Sequence, residues 1–129
     1  MTMIFTLGPG ARVDGQVGPF SIPTDQPPDA TAPSPFTLFL ASIGACAAYY
    51  VQVFCRKRGL DTEGIRVTQH NTKGATGLVE EIHLELELPA DFPDRYRDAV
   101  VRAAEQCTVK KHLEHPPRIE IHTLETAGL

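Results

Sequence analysis

From Ala30 to Cys55 the chain carries no Asp, Glu, Lys or Arg, yet it holds Cys46 and Cys55. No other feature limits the possible folds as much. Ser34 is placed to cap a helix, Pro35 suits its first position, and Gly59 follows the basic run Arg56-Lys57-Arg58. These signals predict one long helix with cations at its negative end. A helix apolar on every side lies either in lipid or in the middle of a protein. About 20 apolar residues span a bilayer core, and the basic run would suit its cytoplasmic side. Against a span, Ala41-Ser42-Ile43-Gly44-Ala45 and Ala47-Ala48 are small residues that let other backbones approach, and residues 65–124 read as a water-facing sheet and helix. The expectation is a core helix and no membrane. A chain of 129 residues can hardly wrap such a helix on all sides, so that reading also predicts a dimer.

The rest of the chain is ordinary. It is 42% hydrophobic and 22% charged, as expected of one globular domain over residues 1–129. Its net charge is −4 with scattered basic residues, which excludes the basic face of a nucleic-acid binder. The N-terminus has no basic residue before Arg12 and no apolar run of signal-peptide length, so a cytoplasmic location is expected. Three cysteines make an odd number without scaffold spacing, which disfavours a structural disulfide framework.

Residues 1–34 form a Pro/Gly-rich arm, with short strands expected around Ile4–Leu7, Arg12–Val17 and Phe20–Ile22. After Gly64, IRVTQHNT and LVEEIHLELEL alternate around a KGATG turn. They predict a β-hairpin with Ile82, Leu84, Leu86 and Leu88 on one face, and Glu81, His83, Glu85 and Glu87 on a solvated one. DFPDRYRDAVVRAAEQC predicts an amphipathic helix opening at Pro93, with Tyr96, Ala99, Val100, Ala103 and Cys107 inward. TVKKHL can add a helical turn, and PPRIEIHT reads as a closing strand. The class is α+β.

The cysteines differ in prospects. Cys46 and Cys55 are about 13.5 Å apart along one helix and half a turn out of phase, too far for a disulfide. Cys55 is most economically a packing residue. Cys46 and Cys107 lie on apolar faces of two helices and could meet if those helices cross the same sheet, which spacing alone does not establish. A helical turn starting at Cys107 would lower a thiol pKa there. His112 and His115 stand near Cys107, but without C-x-x-C or H-E-x-x-H spacing no metal site is expected.

The stretch SPFTLFLASIGACAAYYVQVFCRKRGL, with Pro35, Leu38, Leu40 and Gly44-Ala45-Cys46, resembles the first-cysteine signature of the OsmC/Ohr family (osmotically induced and organic-hydroperoxide-resistance proteins). AEQCTVKKHL is similar to that family's second-cysteine signature, and the two stand about sixty residues apart in family order. The resemblance spans about Arg12 to Thr123. It implies an OsmC-like fold in an intertwined obligate homodimer, with the Cys46 helix covered by the partner subunit and the active site at the subunit interface. It also implies two-cysteine reduction of organic hydroperoxides without a cofactor. Cys46 would be the attacking thiolate, Cys107 the resolving thiol, and a lipoyl-type dithiol the reductant. In the family an arginine of the arm activates the thiol and is oriented by a Glu ten residues before the first Cys. Arg12 matches that arginine, whereas the Glu position holds Phe36. Asp14, Asp25 or Asp29 could replace the carboxylate, and Lys110 or Lys111 the cation. The departure keeps open a second class of function, a non-catalytic redox sensor or a binder of small apolar ligands.

Overall fold

A computed structural model describes residues 1–125. The arm forms a three-stranded antiparallel meander: β1 (Ile4–Leu7), β2 (Val13–Val17) and β3 (Phe20–Thr24), paired in the order β1-β2-β3. The central helix α1 (Pro35–Lys57) follows, then the hairpin β4 (Arg66–Lys73) and β5 (Val79–Glu87), a 3-10 turn at Asp94–Tyr96, α2 (Arg97–Ala104) and α3 (Thr108–Glu114). The α+β class and the single long apolar helix agree with the sequence.

The two ends of α1 follow local chemistry. Ser34 Oγ accepts the Thr37 N–H at 3.1 Å, satisfying one of the orphan donors of the first turn. At the other end Gly59 takes φ +64°, while its N–H reaches the Arg56 carbonyl and the Leu60 N–H reaches that of Cys55. This is a Schellman closure, which favours glycine because left-handed backbone is costly with a Cβ. The Arg58 guanidinium folds back over the Phe54 ring, 3.7 Å from its centroid, and so covers the base of the core.

Among the described residues α1 is the one helix long and apolar enough to cross a membrane. Here one of its faces is buried in protein. Val51, Phe54 and Cys55 pack with Phe92 and Val100, and Leu86, Leu88, Tyr96 and Ala103 close around them. The hairpin lays its apolar side on this helix, and Gly44 lets it come close: a Cβ there would stand 2.5 Å from Gln69 Oε1. Gln69 Nε2 in turn donates to the Leu40 carbonyl at 2.9 Å. Phe36, Phe39 and Tyr49 of α1 stand exposed.

Two elements depart from expectation. The helix predicted to run from Pro93 to Cys107 stops at Ala104, and Cys107 (φ −51°, ψ 121°) becomes the N-cap of a separate helix, α3. Helical spacing continues through this point, but the Cys107 side chain is drawn into the surface of α1, and the backbone breaks to allow it. The closing strand expected at PPRIEIHT is not formed. Residues 116–123 pair with nothing among the described residues, and Ile119 and Ile121 stand 80% and 94% exposed. A strand needs a free edge, and this segment meets no edge of its own chain.

Candidate functional site: two thiols between α1 and α3

The break between α2 and α3 creates the site. Cys107 is almost fully buried, at 3% exposure. Its thiol lies 3.9 Å from the Ile43 carbonyl and accepts the Lys110 N–H at 3.4 Å. Cys46 sits one turn beyond Ile43 on α1 and is half-buried. The two cysteines are close enough for each to act on the other's ionisation. Sequence left open whether Cys46 and Cys107 meet. In the fold they do.

Their surroundings treat the two sulfurs differently. Burial pushes the Cys46 thiol up, but the Val109 N–H, the Cys107 thiol, and the N–H and hydroxyl of Thr108 together outweigh it and hold Cys46 below the ordinary thiol value. Burial pushes Cys107 up, and the neighbouring Cys46 adds to that rise against the N–H groups of Lys110 and Val109. The surroundings favour ionisation of Cys46 over that of Cys107. The sequence expectation that the helix start would lower the Cys107 pKa is thus corrected: the first turn of α3 is present, but its lowering effect prevails on Cys46. Cys55, fully buried, is raised by burial against a smaller opposing effect of Arg58.

A second contact ties the helices together. Tyr50, one turn beyond Cys46 on α1, shares a 2.8 Å hydrogen bond with Thr108 Oγ1. Neither Tyr50 nor Thr108 was singled out from sequence. The spacing of Cys46 and Tyr50 at i and i+4 puts them on one face, but only the fold brings Thr108 to that face.

Beside Cys107 opens an apolar cavity of about 550 Å³ between α1, the hairpin and α3. Ile43, Ala47, Leu84, Leu86 and Val101 line it, and Lys110 and Glu105 supply charge. Its size and composition suit a small apolar molecule.

Arg12 lies elsewhere in the chain. It opens the meander at the head of β2, where its guanidinium donates to Asp14 at 2.6 Å and to Thr31 Oγ1 at 2.8 Å. Thr31 is itself fixed by Asp25, which accepts both the N–H and the hydroxyl of Thr31 and the N–H of Gln26. The arm's acidic residues therefore do orient this arginine. Within one chain the meander makes no substantial contact with the helices or hairpin, and Arg12 is not among the groups acting on Cys46. Phe36 is half-exposed in the first turn of α1, its ring stacked on that of Phe39 with centroids 5.8 Å apart. Asp29 and Lys111 are exposed and engage neither thiol. Lys110 contributes its backbone N–H to Cys107. On α3, His112 uses Nδ1 on the Thr108 carbonyl. Among the described residues no three His, Cys, Asp or Glu side chains converge as metal ligands.

The fold has structural relatives. A protein from Psychrobacter arcticus, described as an osmotic stress induced and detoxification response protein, superposes with a TM-score of 0.72 at 21% identity, over 86% of each chain. An OsmC-like protein from Mycoplasma pneumoniae gives 0.69 at 15% identity, over 89% of this chain and 87% of that one. An OsmC-like protein of unknown function from Vibrio cholerae gives 0.61 at 11%, over 88% and 92%. At these identities the likeness is one of fold. No curated protein sequence matches the chain. The sequence model described as OsmC-like protein matches residues 28–122, from the end of the arm through both cysteines. The chain belongs to the OsmC-like protein family.

Proposed function

We propose that the protein is a thiol-dependent peroxidase that reduces organic hydroperoxides, acting as a cytoplasmic homodimer. One observation carries this reading: two neighbouring thiols, one lowered and one raised in pKa, the second of which, Cys107, lines an apolar cavity. A peroxidase needs a thiolate to attack and a second, protonated thiol to resolve. The Cys46 thiolate attacks the O–O bond of ROOH; with one proton from water the products are Cys46 sulfenic acid and the alcohol ROH. The Cys107 thiol then condenses with the sulfenic acid, forming the Cys46–Cys107 disulfide and releasing water. A small dithiol of lipoyl type returns both cysteines to thiols by exchange and is itself oxidised to a cyclic disulfide. The apolar lining favours an organic peroxide over hydrogen peroxide. The detoxification role given to the Psychrobacter relative is of the same kind.

The homodimer is supported by what one chain leaves uncovered. Phe36, Phe39 and Tyr49 on α1, and Ile119 and Ile121 near the C-terminus, are exposed apolar groups, and a second copy would cover them. In such a dimer an arm crossing to the partner could also bring Arg12 to a Cys46.

A second reading has its own observation. Phe36 offers no carboxylate, and Arg12 is already engaged by Asp14 and Thr31. On that reading the chain is a thiol sensor or a binder of small apolar ligands. Titrating the thiols before and after one equivalent of cumene hydroperoxide, with peptide mapping, separates the two. The peroxidase is expected to give a Cys46–Cys107 disulfide within seconds and leave Cys55 free. Survival of all thiols would overturn the peroxidase reading, and oxidation of Cys46 in the unmodified protein without a Cys46–Cys107 disulfide would favour the sensor.

A further inference from the structure

The outer face of the β4–β5 hairpin carries side chains that the thiol site does not use. The alternation that turns Ile82, Leu84 and Leu86 toward the cavity beside α1 turns Glu81, His83 and Glu85 the other way. On β4 the same face receives His70, because the register sets His70 directly opposite His83, with Thr68 opposite Glu85 and Thr72 opposite Glu81. Directly opposed residues of an antiparallel pair share one side of the sheet and hold their Cβ atoms about 5 Å apart. The two imidazoles are 57% and 65% exposed, and each has a carboxylate at hand. His70 Nε2 lies 3.6 Å from Glu85 Oε2, and His83 Nε2 lies 3.1 Å from Glu81 Oε2.

An imidazole nitrogen binds a late transition-metal ion at about 2 Å. Two rings based about 5 Å apart meet one such ion by turning their side-chain torsions, with no movement of the backbone. That backbone is anchored from beneath, where Leu86 and Leu88 pack against the core. The charge on this face also suits a cation. Arg66 is already neutralised by Glu87, which leaves Glu81 and Glu85 flanking the histidine pair. We propose that His70 and His83 form a bidentate surface site for a divalent late transition-metal ion, with water completing the coordination and Glu81 and Glu85 balancing the charge. Imidazole donors select copper(II), nickel(II) and zinc(II) over calcium and magnesium. Two protein nitrogens fall short of the three or four ligands of a catalytic or structural centre, so this is a site of reversible uptake. It lies on the side of the hairpin turned away from α1 and the thiols.

The test is titration of the reduced full-length protein with nickel(II), followed residue by residue in amide NMR spectra, where this paramagnetic ion broadens the signals nearest to it. Nickel is the probe because copper(II) oxidises thiols. Signals of residues 69–71 and 82–84 are expected to broaden first. His70→Thr and His83→Thr each place a strand-compatible side chain without a nitrogen on the exposed face. Each is expected to weaken binding at the hairpin by about a hundredfold, the loss of the second arm of a chelate, and the double variant to bind there no more tightly than either. Unchanged signals of the core residues Val51 and Val100 in the same spectra establish that each variant is folded. Broadening confined to Cys46 and Cys107, or to His112 and His115, would overturn the proposal. So would the absence of broadening, or a single variant that binds nickel at the hairpin as tightly as the unmodified protein.

Discussion

At the scale of single residues, three cysteines in one small protein are expected to behave in three ways. Cys46 is held below the ordinary thiol value, while Cys55 and Cys107 are raised. Alkylation followed against pH should therefore modify Cys46 before Cys55 and Cys107, with a midpoint below the ordinary thiol value. Cys46→Ser should abolish hydroperoxide consumption. Cys107→Ser should permit one oxidation and no disulfide. Cys55→Ala should leave turnover intact and cost about 1 kcal/mol in denaturant unfolding, because it removes a sulfur from a close-packed core. Part of this ranking was legible in the sequence. Helix geometry alone set Cys55 apart from Cys46, and the family signatures marked Cys46 and Cys107. The lowering of Cys46 was not legible, since its donors come from Thr108, Val109 and Cys107, about sixty positions along the chain.

At the scale of elements, local signals read well and tertiary ones did not. The limits of α1 follow from Ser34, Pro35 and Gly59, and the hairpin follows from its alternation, because caps and periodicity act over a few residues. The stop of α2 at Ala104 has no such cue: Ala103, Ala104, Glu105 and Gln106 would all continue a helix. It is the docking of Cys107 against Ile43 that ends it. The missing closing strand fails for a related reason, since its alternating pattern specifies a strand but not where its partner edge lies. Stability can be tested at this scale. Val100 is fully buried under α1, and Val100→Ala should cost about 2 kcal/mol from lost methyl groups and the residual cavity. Gly59→Ala should cost about 1 kcal/mol at the left-handed position ending α1. Both are measurable as shifts in the urea midpoint at an unchanged slope.

At the scale of the whole molecule, the uncovered apolar groups lead to a prediction about assembly. In analytical ultracentrifugation the protein is expected to sediment as a dimer, and Ile121→Asp to shift it toward monomer; a monomeric parent protein would refute the homodimer. The arm and the helix–hairpin body touch little, and each keeps its own bonds. Asp25 gathers Gln26 and Thr31, its own N–H meets the Pro33 carbonyl, and Thr31 in turn holds Arg12. Hydrogen bonds from the Thr31 N–H, the Gln26 N–H and the Thr31 hydroxyl lower the Asp25 pKa. Its contribution to stability is therefore complete above the unfolded value near pH 4, and is lost as pH falls through the lower folded value. All three tyrosines, Tyr49, Tyr50 and Tyr96, belong to the body and none to the arm. Acid should therefore undo this protein in two acts: the Thr31 amide would lose its hydrogen-exchange protection while tyrosine fluorescence still reports a folded body. The clasp at Asp25 is then a fuse, a weak point that lets the arm go and spares the thiols.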